Sequence, residues 1–181
     1  MHQLQDIISL FNACFKNKIN TELVRGGEEP IYLPRTQYYP YDRVVFARGY
    51  YASALHEIAH WCIAGEERRK LVDFGYWYNP DGRTEEQQSA FQQVEVKPQA
   101  LEWILSRSTG IRFNVSLDNL HGDLTAEAQA ASTFKDNIYS QVQAYMQEGL
   151  PVRAQQLTTK LLAFYRPQQP LTIDEFNRDD I

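Results

Sequence analysis

Apolar positions recur at helical spacing from the start of the chain. Leu4, Ile7, Ile8, Phe11 and Cys14 fall on one stripe, which predicts a helix over residues 3–16. Residues 20–25 and 43–47, the latter Arg43-Val44-Val45-Phe46-Ala47, read as strands. Between them lie Pro30-Ile31-Tyr32-Leu33-Pro34 and Tyr38-Tyr39-Pro40-Tyr41. Proline cannot donate to a ladder, so this segment is expected to be extended or at a sheet edge. Gly49 precedes a helix predicted over residues 50–64, and Gly65 is placed to cap its end. An aromatic loop follows, Phe74-Gly75-Tyr76-Trp77-Tyr78, closed by the turn residues Asn79-Pro80-Asp81-Gly82. Thr84 and Gln87 match a capping box for the next helix, which runs through Glu95 towards Pro98. Proline removes a backbone donor, so a kink or restart is expected there. The pattern resumes at Leu101, Trp103, Ile104 and Leu105 and stops at Gly110. Residues 111–124 read as a connector with a short extended piece. Two helices, 125–148 and 152–165, follow. The tail, residues 166–181, is polar with prolines near its start, and is expected to be loosely held. At least five helices with few strands imply an α+β fold, and 181 residues suit one catalytic domain.

Composition narrows the setting. Hydrophobic residues make up 43% and charged residues 23%, as in an ordinary globular chain. The apolar runs are too short to span a membrane. The N-terminus has no basic region followed by an apolar stretch, so no signal peptide is expected and the cytoplasm is the expected compartment. Cys14 and Cys62 are accordingly expected as reduced thiols. The net charge of -5 argues against bulk binding of nucleic acid. Arg25, Arg35, Arg43, Arg48 and Arg68-Arg69-Lys70 nevertheless gather in the N-terminal half. They form either a basic face for an acidic protein partner or a solvated surface of mixed charge. Nothing in the pattern indicates a coil or a sheet-edge dimer, and a monomer is expected.

The chemistry concentrates in Leu55-His56-Glu57-Ile58-Ala59-His60-Trp61. On a helix His56 and His60 are one turn apart on one side, so both imidazoles can reach one metal ion. The plain alternative is a helix whose histidines are hydrogen-bonded core residues. Two of the chain's 4 histidines lie here, on a helix with apolar flanks, and buried imidazoles need partners. A catalytic metal generally takes three protein ligands and keeps a position open. His2 and His121 are poor candidates, one at the terminus and one in the connector. Glu95 lies within Val94-Glu95-Val96, where a charge implies a buried counter-ion, and is the preferred third ligand. Glu102 is the reserve.

Two histidines and one carboxylate suit both non-haem Fe(II) oxygen chemistry and zinc hydrolysis. In a zinc peptidase or endoribonuclease, Glu57 would act as general base on the metal-bound water. In an oxygenase it would hold water, orient a ligand or bind a cationic substrate. Glu57 is in either case the candidate catalytic side chain. Tyr76, Trp77 and Tyr78 are candidates for a cleft wall, and Asp73 and Asp81 for meeting an ammonium group. A third possibility is a binding module with structural histidines and no metal.

Three blocks carry a resemblance: Arg48-Gly49-Tyr50-Tyr51-Ala52-Ser53-Ala54-Leu55-His56-Glu57-Ile58-Ala59-His60-Trp61-Cys62, Asp73-Phe74-Gly75-Tyr76-Trp77-Tyr78, and Val94-Glu95-Val96-Lys97-Pro98-Gln99-Ala100-Leu101-Glu102-Trp103. Together they resemble the elongation factor P hydroxylase family, over essentially the whole chain. The resemblance implies helices on a small mixed sheet, similar to a metal-dependent endoribonuclease fold. It implies a hydroxylase, an oxidoreductase of monooxygenase type. The substrate would be the β-lysyl-modified lysine of elongation factor P. It further implies a two-histidine, one-carboxylate centre with His56 and His60 as ligands. The expected cofactor is Fe(II) with dioxygen, although zinc could occupy the same donors in isolated protein.

Overall fold

The computed structural model describes residues 2–73, 85–117 and 124–181, with the side chains of residues 85, 86, 88, 89 and 124–127 left aside. The expected Thr84 capping box, the aromatic loop with Asp81, and His121 lie outside the described residues. Helix α1 (Leu4–Ile19) buries Ile7, Leu10, Phe11 and Phe15. It runs one turn past its expected end and stops at Asn20, whose φ of 55° is the left-handed conformation that asparagine tolerates.

Strands β1 (Thr21–Arg25), β2 (Ile31–Leu33) and β3 (Asp42–Phe46) form one mixed sheet in the order β1-β3-β2. β1 runs parallel to β3, with Leu23 opposite Val44, and β2 runs antiparallel to β3, with Tyr32 opposite Val44. The proline-flanked β2 is short and lies at the edge, as proline chemistry requires. Its outer side exchanges two backbone hydrogen bonds with Asp73, at 2.6 and 3.0 Å.

Helix α2 (Tyr51–Ile63) follows β3 through Arg48 and Gly49, both at positive φ. The expected glycine cap at Gly65 is not formed. Ala64 ends the helix with φ -55°, outside the left-handed region. The terminal carbonyls are instead taken by a distant cation. Arg153 donates to Trp61 O, Cys62 O and Ala64 O at 2.9, 3.1 and 2.5 Å, and its guanidinium lies 4.8 Å from the Trp61 ring centre. A cation at a helix C-terminus also meets the negative end of the helix dipole.

Helix α3 (Glu85–Thr109) continues through Pro98, so the helix does not restart there. A proline inside a helix costs about 3 kcal/mol in isolation. Here packing on α2 and on two further helices, α4 (Leu124–Glu148) and α5 (Val152–Tyr165), holds it in place. Two apolar clusters meet on α3. Leu101 and Leu105 join α1, the sheet, α2 and α5, whereas Ala100, Trp103 and Ile104 join Phe113, Phe134, Ile138, Val142 and Phe176.

Residues 111–117 form no strand. The Gln99 amide instead donates to Ser116 O and accepts from Ser116 N–H, both at 3.1 Å. Nor is the tail loose. Phe176 is 4% exposed and sits edge-to-face on Trp103 at 5.3 Å, while Arg166 grips both oxygens of Glu175. Lys135 donates to Ile181 O at 2.6 Å. Both cysteines are free thiols, and no described helix is long and apolar enough to cross a membrane.

Candidate metal centre

One helical turn on α2 brings His56 and His60 side by side, with their Nε2 atoms 3.0 Å apart. α3 packs across them and supplies two carboxylates spaced two turns apart. Glu95 Oε1 lies 3.2 Å from His60 Nε2, and its Oε2 lies 3.6 Å from His56 Nε2. One donor atom from each of His56, His60 and Glu95 falls within 4.8 Å of the others, so the three could hold a metal ion. His2 is elsewhere, stacked on Tyr165 at 5.0 Å and hydrogen-bonded to Thr109 O.

The choice between the two carboxylates follows from which ring nitrogen each one meets. Glu102 accepts a hydrogen bond from His56 Nδ1 at 2.8 Å, on the far side of the ring from Glu95. A carboxylate only accepts, so Nδ1 carries a proton and Nε2 is the nitrogen left to face Glu95 and a cation. This is how a carboxylate orients a ligating histidine from behind. Glu95 shares the Nε2 side with both rings.

The donor set passes a direct test for a cation. Glu95 is 4% exposed, and its Oε2 is buried without a hydrogen-bond partner. Two imidazole Nε2 atoms at 3.0 Å also need something between them, a proton or a metal. Burial opposes the charge on Glu95. The hydrogen bond and charge of His60, the charge of His56 and a hydrogen bond from Gln99 still hold its pKa below the ordinary value. For His56, burial favours the neutral ring, but the hydrogen bond and charge of Glu102, with the charges of Glu57 and Glu95, push its pKa up to about 10. Negative potential that holds a proton on an imidazole also holds a metal cation there.

The cluster opens on a cleft of about 430 Å³ between the sheet, α2, the 3₁₀ turn Arg68–Lys70 and α3. Glu57 and His60 line it together, three residues apart on one face of α2. Ile31, Val44, Trp61, Val94 and Pro98 make its apolar walls. Burial pushes the Glu57 carboxyl up, against the lowering effect of His56 and His60. Asp73 is in the cleft wall, as a residue expected to meet an ammonium should be, but Arg68 already occupies it through a short ion pair.

Two features escaped the sequence. Arg153 capping α2 carries no local signal, since its partners lie about ninety residues away. The role of Glu102 behind His56 had a partial signal in its spacing from Glu95 on the same helix.

A family model described as elongation factor P hydroxylase matches residues 10–176. A curated relative from Haemophilus influenzae, named elongation factor P lysine hydroxylase, is 54% identical over 176 residues, covering 97% of each chain.

Proposed function

The chain belongs to the elongation factor P hydroxylase family, and from that premise we propose that it is an enzyme hydroxylating a lysine of elongation factor P, in its β-lysyl-modified form. His56, His60 and Glu95 hold a non-haem iron(II) ion, making the enzyme an oxidoreductase of monooxygenase type. The observation that carries this reading is the orphaned Oε2 of buried Glu95, on the same side as two imidazole Nε2 atoms. Two nitrogens and one oxygen leave open positions on an iron ion and suit oxygen chemistry.

Bound iron with dioxygen supplies an oxidising strength that no side chain has. In balance, one oxygen atom enters a substrate C–H bond and the other leaves as water, with two electrons and two protons from a reductant. The residues do the rest. Glu102 fixes the His56 ring, Glu95 neutralises part of the metal charge, and the apolar cleft keeps water from the reacting carbon. The protein is taken to act in the cytoplasm as a monomer without nucleic acid, and the net charge of -5 supports the last point.

The test is the intact mass of β-lysylated elongation factor P after aerobic incubation with this protein, Fe(II) and a reductant. The expected result is a gain of one oxygen with the wild type and none with His60→Ala. No gain with iron-replete wild type would overturn the reading, and tightly bound zinc with peptide or RNA cleavage would replace it with a hydrolase.

A further inference from the structure

Among the described residues three carboxylates surround the histidine pair, and two of them have protein partners. Glu95 meets both imidazoles, and Glu102 holds His56 Nδ1. The third, Glu57, makes no side-chain hydrogen bond or ion pair among the described residues. It lines the cleft beside His60. We propose that Glu57 is the specificity residue of this enzyme, the carboxylate that receives the terminal ammonium of a long aliphatic amine side chain entering the cleft. The proposal rests on the hydroxylase reading and names the group that selects its substrate.

Charge balance leads to the same place. A divalent ion brings two positive charges to three carboxylates and two neutral imidazoles, leaving one negative charge over. Glu95 is committed to the ion and Glu102 to His56, so Glu57 is the carboxylate left to meet a further cation. The Glu57 side chain is half-buried at the cleft wall, where a cation entering the cleft can reach it. The cleft does contain cations. Arg68 is paired with Asp73, and Arg69 and Lys97 also line the walls. None of these three makes an ion pair with Glu57 among the described residues. The protein therefore leaves the cation to be brought in.

The cleft's shape and lining fit such a visitor. At about 430 Å³ it holds far more than dioxygen and water. Ile31, Val44, Trp61, Val94 and Pro98 suit a methylene stem, and Glu57 gives the polar end a charged acceptor. A neutral side chain of the same length forgoes that attraction, which gives the site a basis for preferring the amine.

The test measures binding of metal-loaded protein to β-lysylated elongation factor P and to the same factor with its amines acetylated. Metal content is read on each sample. The wild type is expected to prefer the free amine. Glu57→Gln keeps shape and metal but weakens binding of the amine form about ten- to a hundredfold and loses the preference over the acetylated form. Glu57→Asp, which keeps the charge, restores part of it. If wild type binds neither form, the hydroxylase reading fails and this inference with it. If wild type prefers the amine and Glu57→Gln prefers it equally, the inference alone fails. An unchanged binding constant with turnover lost in Glu57→Gln also overturns it, because Glu57 would then act in the chemistry and not in recognition.

Discussion

The two ends of α3 handle charge in opposite ways. Near its C-terminus three acids are each paired with a base. Arg166 takes both oxygens of Glu175 at 2.7 and 3.0 Å, Arg107 meets Asp180 at 2.7 Å, and Arg178 meets Asp136 at 2.7 Å. Further up the same helix, Glu95 and Glu102 face two histidines, Glu57 stands close by, and no lysine or arginine pairs with any of them among the described residues. The first arrangement is complete as it stands and fastens the tail. The second is short of positive charge and leaves Glu95 Oε2 without a hydrogen-bond partner. A fold that satisfies its charges in one stretch of a helix and leaves them short of positive charge in another makes the second place one that could hold a cation.

The largest expected effect breaks the second arrangement. His60→Ala removes one of the three proposed donors. Metal content measured after loading and desalting should fall to background, and hydroxylation with it, while the circular dichroism spectrum stays that of the wild type. Chelation of the wild type should lower its thermal midpoint, because a ligand that binds only the folded state stabilises it. In His60→Ala the midpoint should not respond to chelator. A variant that keeps its metal would remove His60 from the ligand set.

Phe176→Ala tests the first end and should be nearly as damaging, but to stability. A buried phenylalanine truncated to alanine costs about 3–5 kcal/mol. The ring is held against Trp103, so denaturant midpoints should drop by that order while metal affinity stays the same. Loss of metal affinity in Phe176→Ala would show that the two ends of α3 are coupled and that their contrast is only apparent.

Glu102→Gln is smaller and sharper. It keeps the shape behind His56 but no longer favours a protonated Nδ1 strongly. Metal affinity, read by competition with a chromophoric chelator, should fall about ten- to a hundredfold. Complete loss would instead identify Glu102 as a ligand.

Much of this contrast was legible in the chain, and the parts that were not share a physical reason. The histidine pair is a local pattern, one turn on one helix, and it survives any packing. Glu95 could be found because a charge between two valines on a helix needs a buried partner. Which nitrogen each acid meets could not be read, because Glu95 and Glu102 share a face of α3, and only its crossing over α2 puts one at Nε2 and the other at Nδ1. The missed elements behave alike. Gly65 is a sound cap by propensity, but Arg153 reaches the same carbonyls from α5. Pro98 is a sound breaker, but packing on three helices overrides it. The tail looked loose because its anchors, Trp103, Arg107, Ser132 and Asp136, lie far away in sequence.

The smallest effects lie among the tail's ion pairs, and they grade the completeness of that end. Glu175 accepts two hydrogen bonds from Arg166 and one from Thr172 N–H at 3.0 Å. Partial burial raises its pKa, but Arg166 and the Thr172 amide outweigh that and hold it below the ordinary value. A carboxyl whose pKa is lowered by folding contributes stability above its unfolded pKa, and loses it as pH falls through the folded one. Glu175→Gln should therefore cost about 1 kcal/mol at neutral pH. The difference from wild type should shrink as the solution is acidified below the unfolded glutamate pKa of about 4.3. Asp136 is the contrast within the contrast. Its side chain is 59% exposed, and water screens its pairing with Arg178. Asp136→Asn should cost at most about 0.5 kcal/mol, and raising the salt concentration should erase it. If the two variants cost the same at neutral pH, the tail is held by Phe176 alone, and its ion pairs decorate a surface that apolar packing has already fastened.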